Sequence, residues 1–162
     1  MLFLGKYNLT ERDMEQEIIP MCKSHRMATV PWGALGQGKL TGVRTRENPN
    51  NGKRGRVTMT ESDFKIQDVV LEIAKEIGRS PSQVALSWVL LKSTSPLLGC
   101  RTYEQLEDCL QAIDLELTPE QIKRLEEASK DSPKPIFPYT VLGKDTNSSP
   151  PLFITGKLYD LE

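Results

Sequence analysis

The sequence has few of the residues that form metal and nucleophilic centres, with one histidine, His25, and three cysteines among 162 residues. The cysteines are Cys22, Cys100 and Cys109, an odd number without metal-ligand spacing. This pattern argues against a structural metal site and against a disulfide framework. We therefore expect a reducing, cytoplasmic environment.

The chain also has no excess of charge of either sign, since 21 Lys and Arg balance 22 Asp and Glu to a net charge of −1. Such a balance gives no electrostatic reason to expect nucleic acid or an anionic membrane as partner, so any anion site must be local. No apolar run approaches the length of a membrane span, and the apolar segment Leu2 to Leu4 is too short for a signal sequence. At this length we expect one soluble domain.

The sequence does contain a segment, Ser95 to Ile113, with the pattern of a strand, a glycine turn and a helix. Leu97 and Leu98 lie between Pro96 and Gly99, which predicts a short strand buried on both faces.

The helix that follows has a clear predicted start and an apolar face. Thr102 is a good N-cap residue, and Gln105 at the third helical position completes a capping box. The spacing of Leu106, Leu110 and Ile113 predicts one buried face. Because a helix N-terminus favours anions, Arg101 at this start makes a phosphate site one interpretation. An exposed arginine beside an ordinary helix cap is the other.

The N-terminal third of the chain alternates strand and helix signals. Met1 to Asn8 predicts the end of a strand, and Thr10 predicts the cap of a helix. The apolar face of that helix would be Met14, Ile18, Met21, Cys22 and His25. Ala28 to Trp32 predicts a second strand, which continues into the glycine-rich segment Gly33 to Gly42.

A polar segment from Val43 to Thr60 has two interpretations. Its basic residues are Arg44, Arg46, Lys53, Arg54 and Arg56. Composition alone favours a solvated loop, whereas a functional interpretation is a basic flap that closes over phosphates.

Three further helices are predicted from periodicity and capping residues. The first runs from Asp63 to a stop at Gly78, and the second opens on Ser80 and Pro81 with a core face of Val84, Trp88 and Leu91. Thr118 to Gln121 caps the last helix, which carries Ile122 and Leu125. From residue 132 to 162 the composition becomes that of a Pro-rich tail.

The order of elements is that of parallel βα units, with only about three strands. A parallel sheet needs helices on both faces or closure into a barrel, and three strands cannot close one. The pattern therefore indicates that part of a larger sheet is missing on the N-terminal side.

Five segments together resemble the C-terminal half of an aldo-keto reductase, in particular the fungal aryl-alcohol dehydrogenase and norsolorinic acid reductase group. They are Tyr7 to Asp13, Pro31 to Gly38, Gly78 to Trp88, Leu98 to Asp108 and Leu115 to Gln121. The resemblance implies an α/β fold, an incomplete TIM (β/α)8 barrel with about strands six to eight and their helices, which is the NADP-binding half. This half would occupy residues 1–131, and the tail residues 132–162.

The resemblance also implies a cofactor, NADP(H), and the residues that bind it. Arg101 and Gln105 would contact the 2′-phosphate of the adenosine, and Asp108 would face the adenine. Trp32 would stack on the nicotinamide, although a core aromatic at a strand end is the alternative. The implied set also includes Gly33, Leu35, Gly36, Gly38 and Gly99, with Gly33 to Gly38 under the pyrophosphate.

The sequence departs from the family pattern at several positions. Leu4 stands where the family usually has a glutamine for the nicotinamide carboxamide, and Cys109 where many members have asparagine. The family's catalytic Asp, Tyr, Lys and His all precede the part that matches Met1, so no catalytic residue is carried over. His25 is predicted to be a packed side chain rather than a replacement acid.

Two functions from different classes follow. The first is an NADP-dependent oxidoreductase acting on a small aldehyde, ketone or alcohol in fungal secondary metabolism, present as a truncated chain that is inactive alone. The second is a non-catalytic half-barrel that binds a nucleotide or pairs with another chain, or the product of a decaying paralogue. In either case the exposed half-barrel surface predicts self-association.

Overall fold

Two parallel strands and five α-helices form the part of the protein that the computed structural model describes, residues 1–49, 51 and 57–132. The strands are β1, Leu2–Lys6, and β2, Ala28–Trp32. The helices are α1 (Ile18–Ser24), α2 (Glu61–Ile77), α3 (Pro81–Lys92), α4 (Tyr103–Leu110) and α5 (Pro119–Ala128). Short 3-10 helices lie at Asp13–Glu15, Gly36–Gly38 and Gln111–Asp114.

The sheet pairs β1 with β2 in parallel, with Leu2 opposite Ala28 and Lys6 opposite Trp32. Its two faces differ. Phe3 packs against the core on one face, whereas Leu2 and Leu4 on the other face are exposed. A parallel sheet is normally covered on both faces, so one of its faces lacks a cover within the described residues.

The third predicted strand, around Leu97 to Gly99, is not formed in the structure. The chain does run beside β2, where Thr94 and Ser95 donate to the Thr29 carbonyl and the Leu97 N–H donates to the Pro31 carbonyl at 2.7 Å. Leu97 and Leu98 are exposed, so the predicted burial on both faces is wrong. Pro96 has no N–H to continue the ladder, and the described helices cover neither leucine.

The predicted end of α2 and the predicted caps of α3 and α5 are confirmed, whereas the start of α2 differs. Thr60 forms a capping box with Asp63, so α2 begins two residues before the predicted Asp63, and Gly78 ends it with a left-handed φ of 64°. Ser80 caps α3 by accepting from the Gln83 N–H at 3.1 Å, with Pro81 as the first helical residue. Thr118 and Gln121 form the capping box predicted for α5.

The core lies between α2, α3 and α5, on the side of the sheet that carries Phe3. Residues on all sides of α3 are buried, from Gln83 to Val89, and Trp88 is fully enclosed. Leu91 was predicted to continue this core face, but its side chain is 55% exposed, so that prediction is wrong.

A buried polar cluster attaches the loop after β1 to α3 and α5. The Tyr7 ring stacks on Trp88 with centroids 5.5 Å apart, and the Arg12 guanidinium lies 5.3 Å from the Trp88 centroid. Arg12 donates to both carboxylate oxygens of Glu15, at 2.9 and 2.7 Å, and to the Ser129 hydroxyl at 2.8 Å. The Tyr7 hydroxyl donates to Glu15 as well.

The N-terminal helix differs from its prediction. The segment after Thr10 forms the 3-10 helix Asp13–Glu15, and α1 begins only at Ile18. The Thr10 hydroxyl does not cap a helix, because it donates to the Asn8 side chain. His25 lies just past the end of α1 and is exposed, so the prediction that it is a packed side chain is wrong.

The predicted buried face of α4 is also wrong, because Leu106, Leu110 and Ile113 are 38%, 48% and 68% exposed. The opposite side, with Cys109 and Ala112, faces the core instead. We call the exposed surface formed by Tyr103, Leu106, Leu110 and Ile113 the α4 stripe.

The tail predicted from residue 132 onwards lies outside the described residues except for Ser132, whose hydroxyl donates to the Leu9 carbonyl at 2.8 Å. Within the described part, no helix combines the length and the apolar character needed to cross a membrane.

Two leucines of α3 provide a matched test of the core. Leu86 is 1% exposed and Leu91 is 55% exposed. We expect Leu86→Ala to lower the free energy of unfolding by roughly 2–5 kcal/mol, because it leaves a cavity. Leu91→Ala should change it by only about 0.5 kcal/mol. Urea unfolding followed by circular dichroism measures both, and equal losses would contradict this assignment of the core.

Candidate functional site

The loops that follow β1 and β2 meet at the carboxyl ends of the two parallel strands. Trp32 ends β2, and the chain then turns through Gly33, Gly36 and Gly38, whose φ angles are 67°, 59° and 93°. These left-handed values favour glycine. The Gly36 N–H donates to the Gly33 carbonyl at 2.8 Å and closes the first turn.

Trp32 presents part of its ring to solvent at this edge. Its side chain is 42% exposed, so it is not a core aromatic. The Lys6 ammonium lies 5.5 Å from the ring centroid and pairs with Glu11 at 2.6 Å. The indole therefore already has a cation over it, within the range of cation–π contacts.

Leu35 contributes to this loop through its backbone. Its side chain packs against the core, whereas its carbonyl accepts from the Gly38 N–H at 3.0 Å. Leu35 therefore helps to close this loop with its main-chain carbonyl.

The second group of predicted residues lies at the start of α4. Gly99 and Arg101 are exposed, and the Arg101 N–H donates to the Gln105 side chain at 3.0 Å. Thr102 caps the helix by accepting from the Gln105 N–H at 3.3 Å. The capping box predicted here is therefore only half correct, because the Gln105 side chain bonds to Arg101 and not to Thr102.

The carboxylate of Glu104 interacts with the first turn of α4. The backbone N–H of Glu104 and the Thr102 hydroxyl lower the pKa of the Glu104 carboxyl. The start of α4 thus stabilises the anionic form of the Glu104 carboxyl.

Asp108 joins α4 to the first turn of α3. Its Oδ2 accepts from the Ser80 hydroxyl at 2.8 Å and its Oδ1 from the Gln83 side-chain amide at 2.7 Å. Both oxygens thus have partners inside the protein.

Two arginines of the basic segment, Arg44 and Arg46, have hydrogen-bond partners within the described residues. Arg44 is buried and donates to the Pro49 carbonyl at 3.1 Å. Arg46 donates to both oxygens of Asp68, at 3.0 and 2.8 Å, and to Glu61 at 3.2 Å. Carboxylates therefore already balance the charge of Arg46. The other predicted basic residues, Lys53, Arg54 and Arg56, lie outside the described residues.

The Trp32 and Arg101 groups are connected through β2. The Leu97 N–H bonds to the Pro31 carbonyl, so the segment leading to Arg101 runs beside the strand that ends in Trp32.

Residues 1–49, 51 and 57–132 include no group of three or more His, Cys, Asp or Glu side chains that could hold a metal ion.

Sequence reasoning missed Lys6 and Asn8 as residues of this site. The signal available for Asn8 was its position two residues before Thr10, the spacing of an Asx turn. No local pattern predicts the position of Lys6 over Trp32, because that contact joins two strands.

Comparison with known proteins identifies the family. The family model described as the aldo/keto reductase family matches residues 4–130 of the chain. The chain belongs to the aldo/keto reductase family. This finding confirms the resemblance noted in the sequence.

The relatives include fungal oxidoreductases. The chain is 33% identical over 153 residues to an NADP(+) aryl-alcohol dehydrogenase of Phanerodontia chrysosporium, covering 88% of this chain and 39% of that one. It is 34% identical over 128 residues to a norsolorinic acid reductase of Emericella nidulans, covering 78% and 33% respectively. The chain thus spans less than half the length of these relatives.

A solved structure supports a partial barrel. A glycerol dehydrogenase of Gluconobacter oxydans is similar at a TM-score of 0.67 and 27% identity, covering 83% of this chain and 44% of that one. The two-stranded parallel sheet and its helices are consistent with part of the barrel of this family.

The Cys109 thiol predicts how stability depends on alkaline pH. Burial, and then the neighbouring Cys100 thiol, raises the pKa of Cys109 from an ordinary 9.0 to about 12. The folded protein therefore keeps a proton that the unfolded chain releases. Its contribution to stability is complete below about pH 9 and is lost as pH rises towards about 12.

We expect the urea concentration at the midpoint of unfolding, measured with a reductant present, to decrease as the pH is raised from 8.5 to 10.5. Burial and the Glu15 carboxylate raise the pKa of Tyr7, which acts in the same direction. The Cys109→Ala variant should show a shallower fall than the parent, and parallel pH profiles for the two proteins would contradict the prediction.

Proposed function

We propose that the chain is the nucleotide-binding part of an NADP-dependent aldo-keto reductase that interconverts an alcohol with an aldehyde or ketone. The observation that carries the proposal is the exposed Trp32 ring at the carboxyl end of β2, followed directly by left-handed glycines. Barrel enzymes place their sites at this end of the strands, often with a phosphate site after the seventh and eighth. We assign β1, β2 and the segment around Leu97 to strands six, seven and eight.

The residues fit a nicotinamide dinucleotide in part. Arg101 offers a charged fork at a helix start that favours anions, and Gly33 and Gly38 of the glycine loop are half-buried rather than enclosed. Two features oppose binding: Lys6 covers one face of the Trp32 ring, and Glu104 occupies the start of α4. Binding would require Lys6 to move or the nicotinamide to use the other face of the indole.

In this assignment Trp32 stacks on the nicotinamide, and Gly33, Gly36 and Gly38, with the Leu35 main chain, lie along the pyrophosphate. Arg101 and Gln105 contact the 2′-phosphate after the turn at Gly99, and Asp108 supports the adenine end. The bound cofactor would supply the hydride. The proposal assigns no proton donor and no catalytic residue to this chain.

The proposed substrate class follows from the names of the relatives, and the proposed compartment follows from the cysteines. The names of two relatives include aryl-alcohol dehydrogenase and norsolorinic acid reductase, which supports an aromatic substrate and fungal secondary metabolism. The three cysteines are unpaired, which favours the cytoplasm.

Titration of NADPH and NADH tests the proposal, with Arg101→Ala as the main variant. A charge-assisted bond to the 2′-phosphate is worth roughly 1.5–3 kcal/mol, so we expect NADPH to bind about ten- to a hundredfold more tightly than NADH. Arg101→Ala should remove this preference and leave the affinity for NADH unchanged.

Arg79→Ala is the matched control, because Arg79 precedes the N-cap of α3 as Arg101 precedes that of α4. This control should keep the parent's preference. Equal affinity of the parent chain for the two cofactors would refute the assignment of Arg101, and binding of neither would refute the proposed function.

We also infer that the chain associates with itself through its uncovered apolar surfaces. The α4 stripe and the sheet face with Leu2 and Leu4 are both exposed. Together they favour an interaction role beside the nucleotide site, because extended apolar patches drive association.

Sedimentation velocity over a range of concentrations tests the association. We expect oligomers in the parent chain and a larger monomer fraction in Leu110→Gln, which places an amide in the α4 stripe. Leu91→Gln, at an exposed leucine outside the stripe, should behave like the parent. A parent chain that stays monomeric at the highest concentration would contradict the inference.

A further inference from the structure

Asn8 is a buried side chain that connects the two loops of the candidate site. It lies in the turn after β1 and is fully enclosed. Its Nδ2 donates to the Gly33 carbonyl at 3.0 Å, across to the loop after β2. Its Oδ1 accepts from the backbone N–H and from the hydroxyl of Thr10, each at 2.8 Å.

These partners determine the orientation of the amide. If the amide were reversed, its NH₂ group would face the Thr10 N–H, and its oxygen would face the Gly33 carbonyl. Both contacts would be repulsive in a buried site. An aspartate would keep the bonds from Thr10 but lose the bond to Gly33, and an apolar residue would lose both.

Asn8 bonds to the same carbonyl that closes the first turn of the glycine loop. The Gly33 carbonyl also accepts from the Gly36 N–H at 2.8 Å, so Asn8 and Gly36 hold the same oxygen. Gly36 lies beside the same turn, since a Cβ at this residue would be in van der Waals contact with the Thr10 hydroxyl oxygen at 3.5 Å and tight against the Lys39 Cβ at 3.2 Å. Trp32 directly precedes Gly33, so the same bond restrains the backbone that carries the indole.

We propose that Asn8, held in place by Thr10, is a positioning residue that pre-organises Trp32 and the glycine loop for the nicotinamide and pyrophosphate half of the cofactor. This inference rests on the proposed function. A loop that is already held in its binding geometry loses less conformational entropy when the ligand binds, so the affinity is higher.

A purely structural role for Asn8 gives a different result. Lost stability alone would weaken every nucleotide to a similar degree. Within the described residues, the hydrogen bonds of Asn8 join it to Gly33, Thr10 and Glu11 and to none of the residues at the start of α4. A positioning role should therefore affect NADPH but not adenosine 2′,5′-bisphosphate, a probe that lacks the nicotinamide half.

The experiment compares Asn8→Asp with the parent chain by nucleotide titration and by amide hydrogen exchange of Gly36 and Gly38. We expect about tenfold weaker binding of NADPH, binding of adenosine 2′,5′-bisphosphate within about twofold, and at least about tenfold faster exchange in the loop. Thr10→Val and Thr10→Ser form a second pair in case the aspartate prevents folding. The valine variant should reproduce the effect, and the serine variant should restore parent behaviour because it keeps the hydroxyl.

The outcomes separate the two claims. If the parent binds NADPH but the variants lose both nucleotides equally, or lose neither, the positioning role is overturned and the proposed function stands. Unchanged loop exchange overturns the positioning role whatever the nucleotides do. A parent chain that binds neither nucleotide overturns the proposed function, and the role of Asn8 in cofactor binding with it.

Discussion

The rest of the structure depends on the hydrogen bonds that the buried Arg12 guanidinium makes. Arg12 is almost fully enclosed, and an unpaired charge in such a place costs several kcal/mol. Glu15 accepts two bonds from its guanidinium and Ser129 a third, while Trp88 lies beside its plane. Because these partners come from the loop after β1, from α3 and from α5, the arginine joins three parts of the chain. The same loop carries Asn8, so this cluster indirectly supports the candidate site.

Within residues 1–49, 51 and 57–132, one face of the sheet packs against the core and the other face is exposed. Helices α2, α3 and α5 pack together around Trp88, and Phe3 of the sheet packs against this core, whereas Leu2, Leu4 and the α4 stripe face solvent. Apolar faces of this kind are usually covered in a parallel α/β fold. The candidate site lies at the border between the packed core and the exposed face of the sheet, since Trp32 is the last residue of strand β2.

The sequence predicted some elements well and others poorly for the same physical reason. Thr60, Ser80 and Thr118 begin their helices through bonds to residues three positions away, so nearby sequence contains all the information required. Periodicity, by contrast, shows only that an apolar face exists. Leu91, Leu106 and Ile113 had the correct spacing and are nevertheless exposed, because burial depends on whether another element packs there.

The sequence by itself therefore determined the caps of α3 and α5, the turn at Gly78 and membership of the aldo/keto reductase family, all of which depend on local order along the chain. It also placed Trp32 before the glycine loop and Arg101 before α4. Only the tertiary structure decided the partners of these residues: Lys6 over Trp32, Asn8 on Gly33, and Ser80 on Asp108. Such contacts join residues that are far apart in the chain, and packing rather than spacing brings them together.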